Sequence, residues 1–170
     1  MPQTFTITAI TENSPGVLHR ITDLFTRRKV NIESLSVSGT EKKGVSRFTI
    51  VIKSEKDLVE KIVKQIRRVI EVLDAYVCRN SHLIFKEVAL IKVEVKNPEE
   101  RSKIEEVATR YDGEVVSGTD NAMIIEKTGS DEEINALYLL LEPFGIIEFI
   151  RSGRVALLKK RRVIGERYLD

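Results

Sequence analysis

Residues 11–35 read Thr-Glu-Asn-Ser-Pro-Gly-Val-Leu-His-Arg-Ile-Thr-Asp-Leu-Phe-Thr-Arg-Arg-Lys-Val-Asn-Ile-Glu-Ser-Leu, a strand end, a helix and the start of a second strand. Asn13 closes a short β pattern, and Pro15 suits the first position of the helix. Gly16 leaves the backbone open where the first helical N–H groups point outward without partners, which favours a carboxylate ligand there. Asn31 follows the helix as the chain becomes extended again, so its amide can offer donors and an acceptor to the same ligand. These features are typical of a small amino-acid site, although an ordinary capped helix with a turn-like Asn gives the same short motif.

The flanking hydrophobic pattern predicts a helix lying on a sheet. Residues 4–10 alternate between apolar side chains and threonines, which predicts a strand with a core face and a polar face. From Pro15 onward, apolar residues recur at helical spacing and predict one buried stripe. That stripe consists of Val17, Leu18, Ile21, Leu24 and Phe25.

The next segments complete a small α+β unit. Residues 32–38 and 48–53 alternate on either side of a glycine-containing turn and predict a hairpin. Ser54 and Asp57 resemble a capping box at the start of a second helix, and a fourth strand is predicted at 69–79. The resulting order of strand, helix, strand, strand, helix, strand is that of ferredoxin-like domains.

The remainder of the chain repeats this order without detectable sequence identity. Residues 86–96 form an extended pattern, and Asn97-Pro98-Glu99-Glu100 predicts a helix start with an N-cap Asn, a first-turn Pro and a Glu at the third position. A hairpin at 114–126, a capped helix from Ser130 and a strand at 146–150 complete the second copy. The sequence therefore predicts an α+β fold of two tandem ferredoxin-like βαββαβ domains.

The predicted domains occupy residues 1–80 and 84–160, joined by a short segment near residues 79–85, and a basic tail follows at 161–170. Domains of this size bury only roughly 60% of their unfolded surface, so each core is marginal alone. Packing between the copies or between chains is therefore expected.

The second strand of the first domain is predicted to lie at a sheet edge. Right-handed crossovers place the first and third strands of this topology inside and leave the second and fourth outside. Strand 32–38 carries Leu35 and Val37, with neither an inward charge nor a proline to prevent pairing with another chain. Edge-to-edge pairing into a homodimer would bring Asn31 of one chain close to the helix start of the other.

Composition argues against several classes of protein. A formal net charge of +2 over 170 residues gives no electrostatic footprint for nucleic acid, and no apolar run approaches the length of a membrane span. The single Cys78 cannot form an internal disulfide and is expected to be a buried small hydrophobe, so a reducing, cytoplasmic compartment is expected. His19 and His82 are not spaced like metal ligands, which argues against a zinc site.

No motif in the sequence indicates catalysis. There is no Gly-rich phosphate loop or nucleophile elbow. The basic run Lys159-Lys160-Arg161-Arg162 could contact phosphate but also fits a solvated tail. RNA binding of the RRM kind is disfavoured because the central strands carry single aromatic residues outside such a motif. Paired carboxylates fall in first helical turns or on polar helix faces, where the helix dipole and solvent account for them, at 99–100, 105–106 and 131–133.

Two stretches together point to a known family. The first runs from Glu12 to Ile21 and continues through Leu24-Phe25 and Asn31-Ile32-Glu33-Ser34-Leu35. The second is Ile147-Glu148-Phe149-Ile150-Arg151-Ser152-Gly153-Arg154-Val155-Ala156-Leu157. They resemble the ACT signature and the C-terminal signature of the regulatory (small) subunit of acetolactate synthase, also called acetohydroxyacid synthase. The resemblance covers roughly residues 3–160.

This resemblance implies a non-catalytic chain that activates a larger, thiamine diphosphate (ThDP)-dependent catalytic subunit. It also implies that the complex becomes sensitive to feedback by valine or a related branched-chain amino acid, within the biosynthesis of valine, isoleucine and leucine. No cofactor is expected in this chain, because ThDP, Mg²⁺ and FAD would belong to the catalytic subunit.

The resemblance also assigns effector-binding residues. Asn13 and Gly16 match the family's residues at the helix start that hold the effector, and Val17 joins this set beside Gly16. Asn31 matches the asparagine that holds the effector from across the dimer interface. Leu35 is expected to wall the effector side chain.

One position departs from the family, which usually has Gly two residues before this Asn, where Lys29 stands here. Glycine there would relieve a left-handed residue after the helix, so Lys29 predicts mild strain or a different helix ending.

Two other functions stay open from the sequence. One is a free-standing amino-acid-sensing ACT protein that controls gene expression through the basic tail, and the other is a small enzyme.

Overall fold

The computed structural model describes residues 2–159 of the chain. These residues divide into two compact units, residues 2–85 together with 153–159, and residues 86–152. Each unit contains an antiparallel sheet with two helices, so the predicted α+β class and its two ferredoxin-like domains are confirmed. The 161–170 tail lies outside the described residues, and the domain boundaries stay predictions.

The first unit follows the predicted order of elements. They are β1 (Gln3–Glu12), α1 (Val17–Thr26), β2 (Ile32–Gly39), β3 (Val45–Ser54), α2 (Lys56–Ile66) and β4 (Val72–Arg79). The strands pair antiparallel in the order β2-β3-β1-β4. The prediction that β2 and β4 are the sheet edges is therefore confirmed.

The core of the first unit lies between the helices and one face of this sheet. Phe5 and Ile7 of β1 are fully buried, as the alternating pattern predicts, and α1 packs on them through Val17, Ile21 and Phe25. The prediction that Leu18 joins this stripe is wrong, since Leu18 is 45% exposed. Positions 17, 21 and 25 define the buried line, and position 18 is rotated from 17 by roughly 100° around the helix axis.

The opposite face of the same sheet is polar, as predicted, but it is also buried. Thr6 and Thr8 are each only 1% exposed. The strand register places Thr6 opposite Cys78 and Thr8 opposite Tyr76, and both of these residues of β4 are buried too. The prediction that Cys78 is a buried small residue is confirmed.

Both helices of the first unit begin later than the sequence predicts. Gly16 has a left-handed φ of 84°, which a right-handed helix cannot continue, so α1 begins at Val17 and not at Pro15. Ser54 pairs with Gln3 at the end of β3, and this pairing keeps Ser54 extended. Glu55 is therefore the N-cap of α2. No side chain of the described residues caps that helix, so the capping box predicted at Ser54 is wrong.

The second unit repeats the topology. Its elements are β5 (Leu83–Glu94), whose first residues belong to the first unit, then α3 (Pro98–Arg110), β6 (Glu114–Thr119), β7 (Ala122–Gly129), α4 (Asp131–Leu141) and β8 (Ile146–Arg151). The strand order is β6-β7-β5-β8. Its core contains Ile91 and Val93 of β5 and Val95 just after the strand, with apolar residues of both helices.

The caps predicted for α3 and α4 are confirmed. The side chain of Asn97 accepts a hydrogen bond from Glu100 N at 2.8 Å, with Pro98 as the first helical residue. Ser130 and Glu133 form a reciprocal capping box, in which Ser130 N donates to Glu133 Oε2 at 2.6 Å. That backbone hydrogen bond, followed by the interaction with Lys86, lowers the pKa of Glu133.

A short strand that the sequence does not predict follows the second unit in the chain. β9 (Val155–Leu158) pairs with β5, and the backbone N–H of Lys159 donates to His82 O at 3.0 Å. Ala156 is buried in a small cluster with Tyr76, Cys78 and Leu83 of the first unit. The chain therefore returns to its first unit after completing the second.

Candidate functional site

The start of α1 presents backbone donors without a side-chain cap. Gly16 is its N-cap residue, and no side chain in the described part of the chain caps the helix. The backbone bond from Arg20 N to Gly16 O, 3.0 Å long, begins the helical ladder. The N–H groups before Arg20 have no acceptor within the helix, which suits them to an anionic group.

Asn13 lies on the loop between β1 and this helix start. Its backbone N–H donates to Gly44 O at 2.8 Å, and the N–H of Ser14 donates to Glu12 O at 3.1 Å. These bonds fix the loop through its backbone, while the Asn13 side chain remains exposed. The predicted polar group thus stands on a defined loop next to Gly16.

Arg20 brings a positive charge to Gly16, and sequence reasoning missed it. A Cβ added to Gly16 would lie 3.4 Å from Arg20 Nη1. An ion pair with Glu71 holds the guanidinium in place. The four-residue spacing between Gly16 and Arg20 was the available signal, because such residues share a helix face. The Glu71 partner, 51 residues away, carries no local signal.

An open groove of about 430 Å³ runs beside the helix start. Gly16 and the α1 side chains of Leu18, His19 and Thr22 line it, and Leu35 of β2 forms its other wall. The structure therefore brings together Gly16 and Leu35, two of the predicted site residues. Val17, a third, has a side chain that is only 2% exposed in the core, so its contribution to a site is confined to the backbone.

Asn31 lies at the opposite end of α1 from Gly16. Its side chain is exposed, and Nδ2 donates to Glu33 Oε1 at 3.4 Å. A helix of 10 residues spans roughly 15 Å, which is more than one small amino acid can bridge. Within a single chain, therefore, the structure does not bring Asn31 to Gly16.

The structure also bears on cysteine reactivity, metal binding and membrane spanning. Burial raises the pKa of the Cys78 thiol from 9.0 to about 11, which keeps it neutral and a poor nucleophile. Within residues 2–159, no group of three or more His, Cys, Asp and Glu side chains is placed to hold a metal ion. Over the same range, no helix has the length and apolar character needed to cross a membrane.

The second unit contains a partly buried ion network on the β5 side of α4. Arg151 Nε contacts Glu87 Oε2 at 2.5 Å, and the same guanidinium pairs with Asp131. Burial opposes the charge on Arg151, but the hydrogen bonds to Asp131 and Glu87 outweigh burial and raise its pKa. The network ties β5, α4 and β8 together, which is a structural role.

The fold and the helix start define the class of the first unit. A ferredoxin-like unit with an uncapped first helix facing a groove at an edge strand is the arrangement of an ACT domain. In agreement, the family model described as "AHAS small subunit-like ACT domain" matches residues 7–74. A second family model, "Small subunit of acetolactate synthase", matches residues 86–160. The chain belongs to the family of acetolactate synthase small subunits.

Individual relatives match over nearly the whole chain. The acetolactate synthase small subunit of Mycobacterium bovis is 39% identical over 164 residues, which cover 96% of this chain and 97% of that one. A probable acetolactate synthase small subunit from Archaeoglobus fulgidus is 37% identical over 154 residues, 91% and 96% of the two chains. The crystal structure of the small subunit from Thermotoga maritima superposes with a TM-score of 0.86 at 28% identity, covering 94% and 99%.

Proposed function

We propose that this chain is the regulatory subunit that activates the ThDP-dependent catalytic subunit of acetolactate synthase and makes it sensitive to valine. The observation that carries the valine site is the uncapped start of α1, with Gly16 at positive φ, opening onto the groove walled by Leu35. In this proposal the chain is not itself an enzyme. ThDP, Mg²⁺ and FAD are bound by the catalytic subunit, and the complex is cytoplasmic.

The effector site uses the ends of the amino acid separately. Backbone N–H groups of Gly16 and Val17 receive the carboxylate, with the Arg20 guanidinium, which also pairs with Glu71, beside them. Asn13 orients the polar end from the loop, and Leu35 contacts the apolar side chain. Valine fits this division because it has a carboxylate, an ammonium and a small branched side chain.

Asn31 completes the site from a second copy of the chain. Antiparallel pairing of two β2 edges would place the start of one strand against the end of the other. Asn31 of the partner subunit would then approach Gly16, which the chain's own Asn31 cannot reach across the length of α1. The proposed dimer forms through ACT domains at residues 1–80, and residues 84–160 form the second domain.

Reconstitution with a purified catalytic subunit tests this function. Adding the chain is expected to raise the rate of acetolactate formation, and valine is expected to lower the raised rate. Asn31→Ala should activate equally but require at least ten-fold more valine, since losing a hydrogen bond to a charged group costs about 1.5–3 kcal/mol. Asn135→Ala, in the second unit, should respond as wild type.

The reconstitution has two contradicting outcomes. A chain that leaves the catalytic rate unchanged is not an activator of that subunit. An Asn31→Ala variant with an unaltered valine response would remove Asn31 from the effector site while leaving activation intact.

A further inference from the structure

The second half of the C-terminal signature, Gly153 to Leu158, lies on the sheet face of the first unit that is turned away from its helices. Gly153 contacts β2, Arg154 contacts β1, and Ala156 packs with residues of β4. The burial pattern alternates, with Arg154 and Ala156 buried between the exposed Val155 and Leu157. This segment, here called the clasp, accounts for part of the burial of a face that the sequence predicts only as polar.

Gly153 is the residue of the clasp that contacts β2, the strand that carries Leu35. A Cβ added at Gly153 would lie 2.9 Å from the carbonyl O of Leu35 and 3.2 Å from Cβ of Ser36. Both are atoms of β2, and the nearer one belongs to the backbone, so no side-chain rotation could relieve the clash. Only glycine allows this contact without moving β2 or the clasp.

Leu35 therefore links the two faces of one strand. Its side chain walls the groove beside Gly16 on the helical face, and its carbonyl O meets Gly153 from the clasp. The register pairs Leu35 with buried Ile50 of β3 on the inner side, whereas no strand within residues 2–159 pairs with the outer side of β2. The clasp thus contacts the edge strand β2 from the sheet face that is turned away from the helices, and it holds the strand in place there.

Arg154 anchors the clasp to the strands behind β2. Its side chain is 5% exposed, and Nη1 donates to Asn80 Oδ1 at 3.0 Å and to Thr6 Oγ1 at 3.3 Å. The guanidinium also lies over the Phe85 ring, 3.9 Å from its centroid. Because a buried charge is costly without such partners, these contacts favour one position of the clasp.

We infer that Gly153 and Arg154 are positioning residues that hold β2 in place. When the effector binds against Leu35, these residues transmit the resulting shift of β2 to the clasp. This inference rests on the proposed effector site. Gly153 directly follows Ser152, which is bonded to β5 of the second unit through Ser152 N to Val88 O at 2.8 Å and Val88 N to Ser152 Oγ at 2.9 Å. A displacement of Leu35 would thus reach the second unit through one peptide bond.

Hydrogen exchange of the full chain without ligand tests the positioning role first. Gly153→Ala is expected to accelerate amide exchange in residues 32–39 at least five-fold, because the added Cβ displaces β2. Gly39→Ala, on β2 itself, is the matched control: its added Cβ meets nothing within 4 Å, and exchange there should be nearly unchanged. Equal exchange of β2 in both variants and wild type would overturn the positioning role.

The same measurement with and without saturating valine tests the coupling in the wild-type chain, so it does not depend on a variant that folds. Protection is expected both at residues 13–20 and at residues 153–158. Protection at residues 13–20 alone would overturn the proposed coupling to the clasp, while the proposed effector site would be retained. No protection at residues 13–20 would overturn the proposed effector site, and the coupling with it.

A variant of the anchor separates coupling from stability. Arg154→Met retains much of the length and apolar contact of the side chain but removes its hydrogen bonds to Thr6 and Asn80. Valine protection is expected to persist at residues 13–20 and to fall at least three-fold at residues 153–158. A purely structural role predicts instead that protection falls equally at both places, and that result would contradict the coupling.

Discussion

Lys29 is held in a left-handed backbone conformation, with a φ of 55°, in the turn between α1 and β2. The N–H of Val30 donates to Phe25 O at 3.1 Å, which closes the end of the helix around this residue. A non-glycine side chain in this region costs about 1–2 kcal/mol. The left-handed position expected from the family's usual Gly is confirmed in the backbone, and the strain expected of Lys there stays a prediction.

Lys29→Gly is expected to raise the free energy of unfolding by about 0.5–1 kcal/mol, because glycine relieves the strain but adds entropy to the unfolded chain. Lys29→Ala is the matched control, since it shortens the side chain and keeps the strain. Thermal unfolding of both variants beside wild type measures the difference. Equal midpoints for the glycine and alanine variants would show that strain at this position has no weight.

At the level of elements, the exposed edge of β2 carries the proposed dimer. Val37→Lys is expected to convert dimers to monomers, because an edge lysine opposes strand pairing. Val116→Lys on β6, an edge strand of the second unit, is the control, since the two valines are 45% and 46% exposed. Sedimentation velocity over a range of concentrations reports the state of each. The β2 interface would be contradicted if Val37→Lys stayed dimeric.

Elements governed by local signals could be predicted from the sequence. The caps at Asn97 and Ser130 depend on residues three positions apart, and both form as predicted. The edge position of β2 follows from crossover handedness, which is a property of the whole topology and not of any single contact. Gly16 and Leu35 come together because the strand after a crossover helix returns along the sheet beneath it.

Elements that depend on distant partners could not be predicted. Ser54 has a good capping sequence, but its pairing with Gln3 keeps it in the strand. β9 is a run of 4 apolar residues, too short for periodicity to separate strand from loop, and its neighbours Tyr76 and Cys78 lie far back in the chain. An ion pair with Glu71, 51 residues further along the chain, holds Arg20 beside Gly16.

At the scale of the whole molecule, the chain runs through one ferredoxin-like unit and then another, and it returns to the first through the clasp. The first unit holds half of the proposed effector site at the start of α1. The other half, Asn31, stands at the far end of the same helix. The central claim is therefore that two copies of the chain share each valine site.

Titration calorimetry with valine on mixed variants tests this claim most directly. Gly16→Asp places a side chain and a negative charge where the carboxylate binds. Asn31→Ala removes the group supplied by the partner. Each variant alone is therefore expected to bind valine at least ten-fold more weakly than wild type. Gly16→Asn controls for the added side chain, because Asn tolerates positive φ and carries no charge.

The decisive sample is an equimolar mixture of Gly16→Asp and Asn31→Ala, dissociated and reassembled. Each mixed dimer contains one site with wild-type Gly16 from one chain and wild-type Asn31 from the other. The shared site predicts that wild-type affinity returns in the mixture at about one site per mixed dimer. If the mixture binds valine no better than the two variants measured separately, each site is contained within one chain and the claim is wrong.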